Sequence, residues 1–230
     1  MSKGGFTFSR ASLGKLFRKG VDYLRFGSAT NYTEILSDGT LKYRGNATVW
    51  KDMIADLFGR RLLSAAGAVD YDYDENAIIF KANGDITDSG DRVGGNQEIN
   101  HEMMVGVNVT FKPHIHWWQQ VTAGAVVAHT FTLRWRLQRN GFAKATSWNI
   151  ITCNTGAGGD DVFDFTAEAD GLYNQISRFD DIVVTCGVSD TIQFQMTRSD
   201  ANAGDIPVLF FDSHGQVDSD GSDEELTKTP

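Results

Sequence analysis

His114-Ile115-His116 is the point in this 230-residue chain where residue type and spacing speak most directly of chemistry. Residues two apart in a strand share a face, so two imidazoles can converge on one cation. A site of this kind also wants a carboxylate soon after the pair and a further imidazole from a later strand. The positions after His116 are Trp117, Trp118, Gln119 and Gln120, so that carboxylate is missing. His129 is the candidate third ligand, and His101 or Glu102 could be recruited. Without the carboxylate, no metal and no other cofactor is expected. The two histidines then read as hydrogen-bonding residues on the polar face of a strand, beside Trp118.

Other constellations are weaker. Asp70, Asp72 and Asp74 alternate on one strand face and, with Glu75, could offer oxygen ligands to calcium. The glycine and distal glutamate of a calcium loop are missing, so charges that blunt a sheet edge are expected instead. Gly158-Gly159-Asp160-Asp161 reads as a turn. The chain has no G-x-S-x-G elbow, and its glycines at 94, 95 and 106 do not form a phosphate cradle. Trp117 and Trp135 share the phase of core residues. Trp118 lies in the opposite phase with His116, where it could stack on a sugar or sit at a subunit interface.

These residues need strands to position them. Val105, Val107, Val109 and Phe111 alternate with polar or small residues, and the phase continues through Pro113 to Ile115 and Trp117. His129 to Arg139 alternates in the same way. Further strands are expected at Val69–Tyr73, Ala77–Lys81, Trp148–Cys153, Val162–Thr166, Ile182–Val188, Thr191–Met196 and Val208–Phe211. Asp38-Gly39 marks a hairpin turn within Tyr32–Tyr43. Residues 83–98 are rich in Gly, Asp and Asn and read as an exposed loop. Trp50, Ile54, Leu57 and Phe58 fall at i, i+4, i+7 and i+8, which predicts one helix over 48–58. The expected fold class is mainly β: a β-sandwich, jelly-roll-like, with one short helix and extended terminal arms. The expected division is a basic arm over 1–30, a β-sandwich domain over 31–212 and an acidic tail over 213–230.

Composition narrows the function classes. A net charge of -9 makes the chain a poor non-specific partner for nucleic acid. No apolar run reaches the roughly 20 residues of a membrane span, and no signal peptide is read at the N-terminus. With 24 glycines against 3 prolines, the chain suits many turns rather than a stiff linker. Cys153 and Cys186 fall in apolar strands and are expected as buried thiols, a cross-strand disulfide being the other reading. Residues 1–20 hold Lys3, Arg10, Lys15, Arg18 and Lys19 and no acid, whereas the end holds Asp218, Asp220, Asp223, Glu224 and Glu225. Phe6, Phe8, Leu13, Leu16 and Phe17 make the N-terminal arm an assembly element, with a short amphipathic helix over 12–19 that needs a surface to dock on.

Two stretches carry a resemblance. Ser37-Asp38-Gly39-Thr40-Leu41 followed by Gly45-Asn46-Ala47-Thr48-Val49-Trp50-Lys51-Asp52, and then Pro113-His114-Ile115-His116-Trp117, resemble structural proteins of tailed bacteriophages. The resemblance implies a non-enzymatic component of the virion, as capsid decoration, cement or tail adaptor. Its implied partners are copies of itself, a trimer being expected, and other virion proteins. Two alternatives stand beside it. One is a carbohydrate-binding head of a tail fibre or spike, built around Trp118. The other is a cupin-like metal-dependent enzyme, which needs His114, His116 and His129 to converge.

Overall fold

A computed structural model describes residues 23–36, 39–45, 49–55, 61–62, 69–72, 76–80, 92–122, 125–126, 128–155, 160, 171–200 and 204–220. Its strands are β1 (Tyr23–Gly27), β2 (Tyr32–Leu36), β3 (Leu41–Arg44), β4 (Val49–Ala55), β5 (Arg61–Leu62), β6 (Val69–Asp72), β7 (Ala77–Phe80), β8 (Arg92–Glu98) and β9 (Gly106–Thr122). There follow β10 (Ala125–Val126), β11 (Thr130–Gln138), β12 (Asn149–Asn154), β13 (Gly171–Arg178), β14 (Ile182–Cys186), β15 (Thr191–Arg198), β16 (Ile206–Val217) and β17 (Ser219–Asp220). Among the described residues no helix is long and apolar enough to cross a membrane.

The protein is a mainly-β sandwich. An eight-stranded antiparallel sheet is centred on β9 and β16, and a five-stranded sheet runs in the order β12-β11-β15-β8-β5. A four-stranded sheet, β1-β2-β3-β17, completes the described chain. The two larger sheets meet through the apolar side of each strand. Phe111, Ile115, Trp117 and Phe211 come from one, and Phe131, Leu133, Ile192, Phe194 and Met196 from the other, all buried in one cluster. Aromatic rings cross the interface edge to face, Phe194 on Phe211 at 4.9 Å and Trp117 on Phe131 at 5.9 Å. Period-two patterning produces this directly, because burying one face of a strand removes apolar area from water worth about 25 cal/mol per Å².

The expected helix over 48–58 is not formed: Val49–Ala55 is a strand, antiparallel to β16 from Val217 to Phe211. Met53 faces the core while Trp50 and Ile54 face outward. Pairing with a long central strand overrode a helical spacing that a strand satisfies equally well. The expected loop over 83–98 also differs, since Arg92–Glu98 forms β8 on the edge of β15. Gly94 and Gly95 have no side chains to reveal its alternation, and both are buried. Two expected limits do not coincide with element ends. Tyr23–Gly27 pairs with β2 inside the supposed arm, and β16 runs through 212 to Val217. Asp218, expected in a solvated tail, is buried, and its carbonyl accepts the Tyr43 N–H at 2.6 Å. The arm residues Phe6, Phe8, Leu13, Leu16 and Phe17, the 12–19 helix and the 162–166 strand lie outside the described residues.

Cys153 and Cys186 are both free and buried. Burial, aided by the charge of Asp190, pushes the Cys186 thiol up to about 11. The thiolate is the reactive form, so neither residue should react quickly while the protein is folded. Titration with a chromogenic disulfide at neutral pH is expected to consume almost nothing from native protein and two equivalents after denaturation. Rapid labelling of native protein would contradict this burial.

Candidate functional site

Four strands lie side by side in the order β4, β16, β9 and β13. Each sends alternate side chains to the core, and the intervening ones to the sheet's outer face. On β9 the core takes Phe111, Ile115 and Trp117, leaving Lys112, His114 and His116 outside. On β16 the outer set is Phe210, Asp212 and His214, and on β4 it is Trp50, Asp52 and Ile54. β13 adds Ile176 and Arg178. The registers set these sets together: His114 lies opposite Asp212, His116 opposite Phe210, and His214 opposite Asp52. They line a trough of about 750 Å³.

Three imidazoles and two carboxylates thus share one place. Nε2 of His114 is 2.5 Å from Oδ1 of Asp212, and Nε2 of His116 is 3.9 Å from the same oxygen. Nε2 of His214 is 2.7 Å from Oδ1 of Asp52. The His114 ring lies 5.1 Å from that of His116 and 4.6 Å from that of His214, and His116 stacks on Phe210 at 4.0 Å. Lys112 places its ammonium 4.4 Å from the centre of the Trp50 ring. Asp212 is buried, and its Oδ1 has no hydrogen-bond partner. The approach of His114 is close enough for a charge-assisted bond but is not in line with its ring N–H.

Burial works against a charge on both β9 histidines. At His114 the hydrogen-bonding reach and charge of Asp212 outweigh it, with the Lys112 carbonyl and Asp52 adding to the effect, and hold its pKa above the ordinary imidazole value. At His116 burial prevails over the attraction of Asp212, assisted by the neighbouring His114, and the pKa falls below it. The two rings of one H-x-H pair thus shift in opposite directions: the carboxylate raises both but stands nearer to the first, and burial prevails at the second.

His129, the expected third ligand, is not part of this group. It lies on the core side of the sandwich, its ring 5.9 Å from that of Trp117, and its Nδ1 is 3.2 Å from Nη2 of Arg198. The same Nδ1 is 3.4 Å from Oδ1 of Asp200, so the ring is held within the Arg198–Asp200 pair rather than turned to the trough. Glu102 pairs instead with Lys51. Trp118 shares the outer face with His116 but is half-buried and does not line the trough. Asp160 closes its own turn, its carboxylate accepting the Asn154 N–H at 2.7 Å. The side chains of Asp70 and Asp72, with Asp74, Glu75, Gly158, Gly159 and Asp161, lie outside the described residues.

The carboxylate whose absence argued against a metal is present after all, on a different strand. Asp212 and His214 were missed by sequence reasoning. The signal was there, because Asp212-Ser213-His214 repeats the same i, i+2 spacing of chemistry-bearing residues as His114-Ile115-His116.

No family model and no curated protein matches the chain. Among solved structures it is similar to one described as the structure of Eiger TNF from S. frugiperda, with a TM-score of 0.26 and 12% identity, over 57% of this chain and 71% of that one. The likeness is too slight to bear on function.

Proposed function

We propose that the chain is a non-enzymatic structural protein of a tailed-bacteriophage virion, acting through contacts with copies of itself and with other virion proteins. Capsid decoration, cement and tail attachment are the roles that suit it. The observation that carries this reading is the meeting of the two stretches that resemble phage structural proteins. One reaches from the start of β3 into β4, the other lies in β9, and β4 and β9 flank β16 on its two edges. The end of the first stretch and the second stretch thus share one sheet. Large apolar side chains left in water add support. Ile54 is 70% exposed on β4, with Trp50 beside it on the same face, and Val107 and Val183 are also open. Apolar groups of this size gain by contact with a second copy, and closed symmetry is the usual form, a trimer being expected here.

The N-terminal arm supplies the test. Its charges would add only about 0–1 kcal/mol per exposed ion pair. Phe6, Phe8, Leu13, Leu16 and Phe17 would supply up to about 1.5–3 kcal/mol each if fully buried on a neighbour. A chain lacking residues 1–20 is expected to keep a β-sheet circular dichroism spectrum yet fail to enter virions when it replaces the full chain. Equal incorporation of the two chains would overturn the arm's role, and a full-length chain absent from purified virions would overturn the reading itself.

A further inference from the structure

We propose that His114, His116 and Asp212 form a binding site for a divalent transition-metal ion, open to the trough on one side. The three residues each offer a ligand atom, and these atoms lie within 4.8 Å of one another. The backbone and neighbours have already set the ring orientation. Nδ1 of His114 is 3.3 Å from the Lys112 carbonyl, which can only accept, so Nδ1 carries the proton and Nε2 is the atom turned to Asp212. Metal-bound histidines are held in this way, with the second ring nitrogen donating to a carbonyl or carboxylate.

The carboxylate is placed to share a cation with both rings. Asp212 is 3% exposed, its Oδ1 lacks a hydrogen-bond partner, and both Nε2 atoms face that oxygen. Without a proton on Nε2 of His114, the buried carboxylate oxygen would face an imidazole lone pair; with one, the same contact is an ion pair. A cation bound by both groups satisfies all three atoms together. Ligands bonded at about 2.0–2.2 Å in a tetrahedron stand about 3.3–3.6 Å apart. The observed 2.5 Å and 3.9 Å lie either side of that spacing, so modest rotations of the three side chains would fit it.

The donor set selects the ion class. Two imidazoles and a carboxylate suit zinc, iron(II), manganese(II) or cobalt(II), whereas calcium and magnesium prefer all-oxygen shells and copper(I) prefers sulfur. Three protein ligands leave a position for water. His214 and Asp52 flank the group as a second hydrogen-bonding pair. The site does not depend on the chain's being a virion component, and a structural protein can hold such an ion.

The test uses the full chain, stripped of metal by a chelator and then titrated with zinc chloride and, separately, cobalt chloride. One zinc per chain is expected by calorimetry and by elemental analysis after dialysis, and cobalt should give the intense visible bands of a low-coordinate site with nitrogen ligands. His116→Ala and Asp212→Asn should each weaken zinc binding by roughly 100-fold or more, while His129→Ala leaves it unchanged. Thermal melts without metal show whether each variant is folded, and His116, half-buried at the trough, is the substitution best tolerated. Absence of stoichiometric zinc binding would overturn the proposal, as would binding that survives both substitutions in folded variants. In either case the close contact of His114 and Asp212 would be a proton-bridged imidazolium–carboxylate pair.

Discussion

Replacing Trp117 with alanine is expected to remove about 3–5 kcal/mol of folding stability. Trp117 is fully buried at the centre of β9, where that strand is paired on both edges. Its ring meets Phe131 of the opposite sheet, and its indole N–H donates to the hydroxyl of Ser177 on β13 at 2.8 Å. Deletion therefore opens a cavity between the sheets and breaks a buried hydrogen bond. Domains of this kind are stable by only about 5–15 kcal/mol, so the variant should unfold at a much lower urea concentration with a similar slope. Trp117→Phe, which keeps most of the ring volume, should lose clearly less. Urea denaturation followed by circular dichroism measures both. A loss under about 1 kcal/mol for the alanine variant would be inconsistent with a core position, given the large volume removed.

The second large effect is expected at Arg198. Arg198 is 3% exposed at the end of β15. It donates to both carboxylate oxygens of Asp200, to the Gly204 carbonyl at 2.5 Å and to Nδ1 of His129 at 3.2 Å. Asp200 in turn accepts the Thr130 N–H at 2.8 Å, which ties the start of β11 to the end of β15. Arg198→Met removes one charge of a buried pair and leaves the other uncompensated, so a loss of about 3–5 kcal/mol is expected. Arg198→Lys should rescue little, because one ammonium cannot span partners set around a planar fork. Adding Asp200→Asn to Arg198→Met should recover part of the loss, since the orphan charge is gone and an acceptor for Thr130 remains. The double-mutant cycle is the measurement. Equal stability of the single Met variant and the double variant would show that the exposed end of the network, not charge burial, sets the energetics.

A metal site and a structural role are compatible readings of the same sheet. The trough is built on strands rather than loops, so its ligands are positioned by ladder hydrogen bonds and by the packing of the opposite face. Phe111, Ile115 and Trp117 anchor β9 from below, and their burial fixes which way Lys112, His114 and His116 must point. A one-residue slip of β9 would turn the histidines into the core, so the apolar phase and the site are one constraint.

Period-two patterning by itself determined the strands that matter most. Val109, Phe111, Ile115 and Trp117 in β9, Phe131 and Leu133 in β11, and Ile192, Phe194 and Met196 in β15 alternate strongly enough to define both strand and inward face. The shared face of His114 and His116 was legible for the same reason, since it depends only on neighbours in the chain. Which strands lie beside one another depends on the whole fold. Asp212 is brought to His114 by the β9–β16 register, and nothing local to either strand encodes that pairing. His129 shares the phase of Phe131 and Leu133, so its core-side place follows from the alternation of its own stretch and keeps it from His114 and His116. Trp50 and Ile54 were read as helical because a spacing of four returns to the same face in a helix and in a strand alike. Only the edge of β16, waiting for a partner, decided between them.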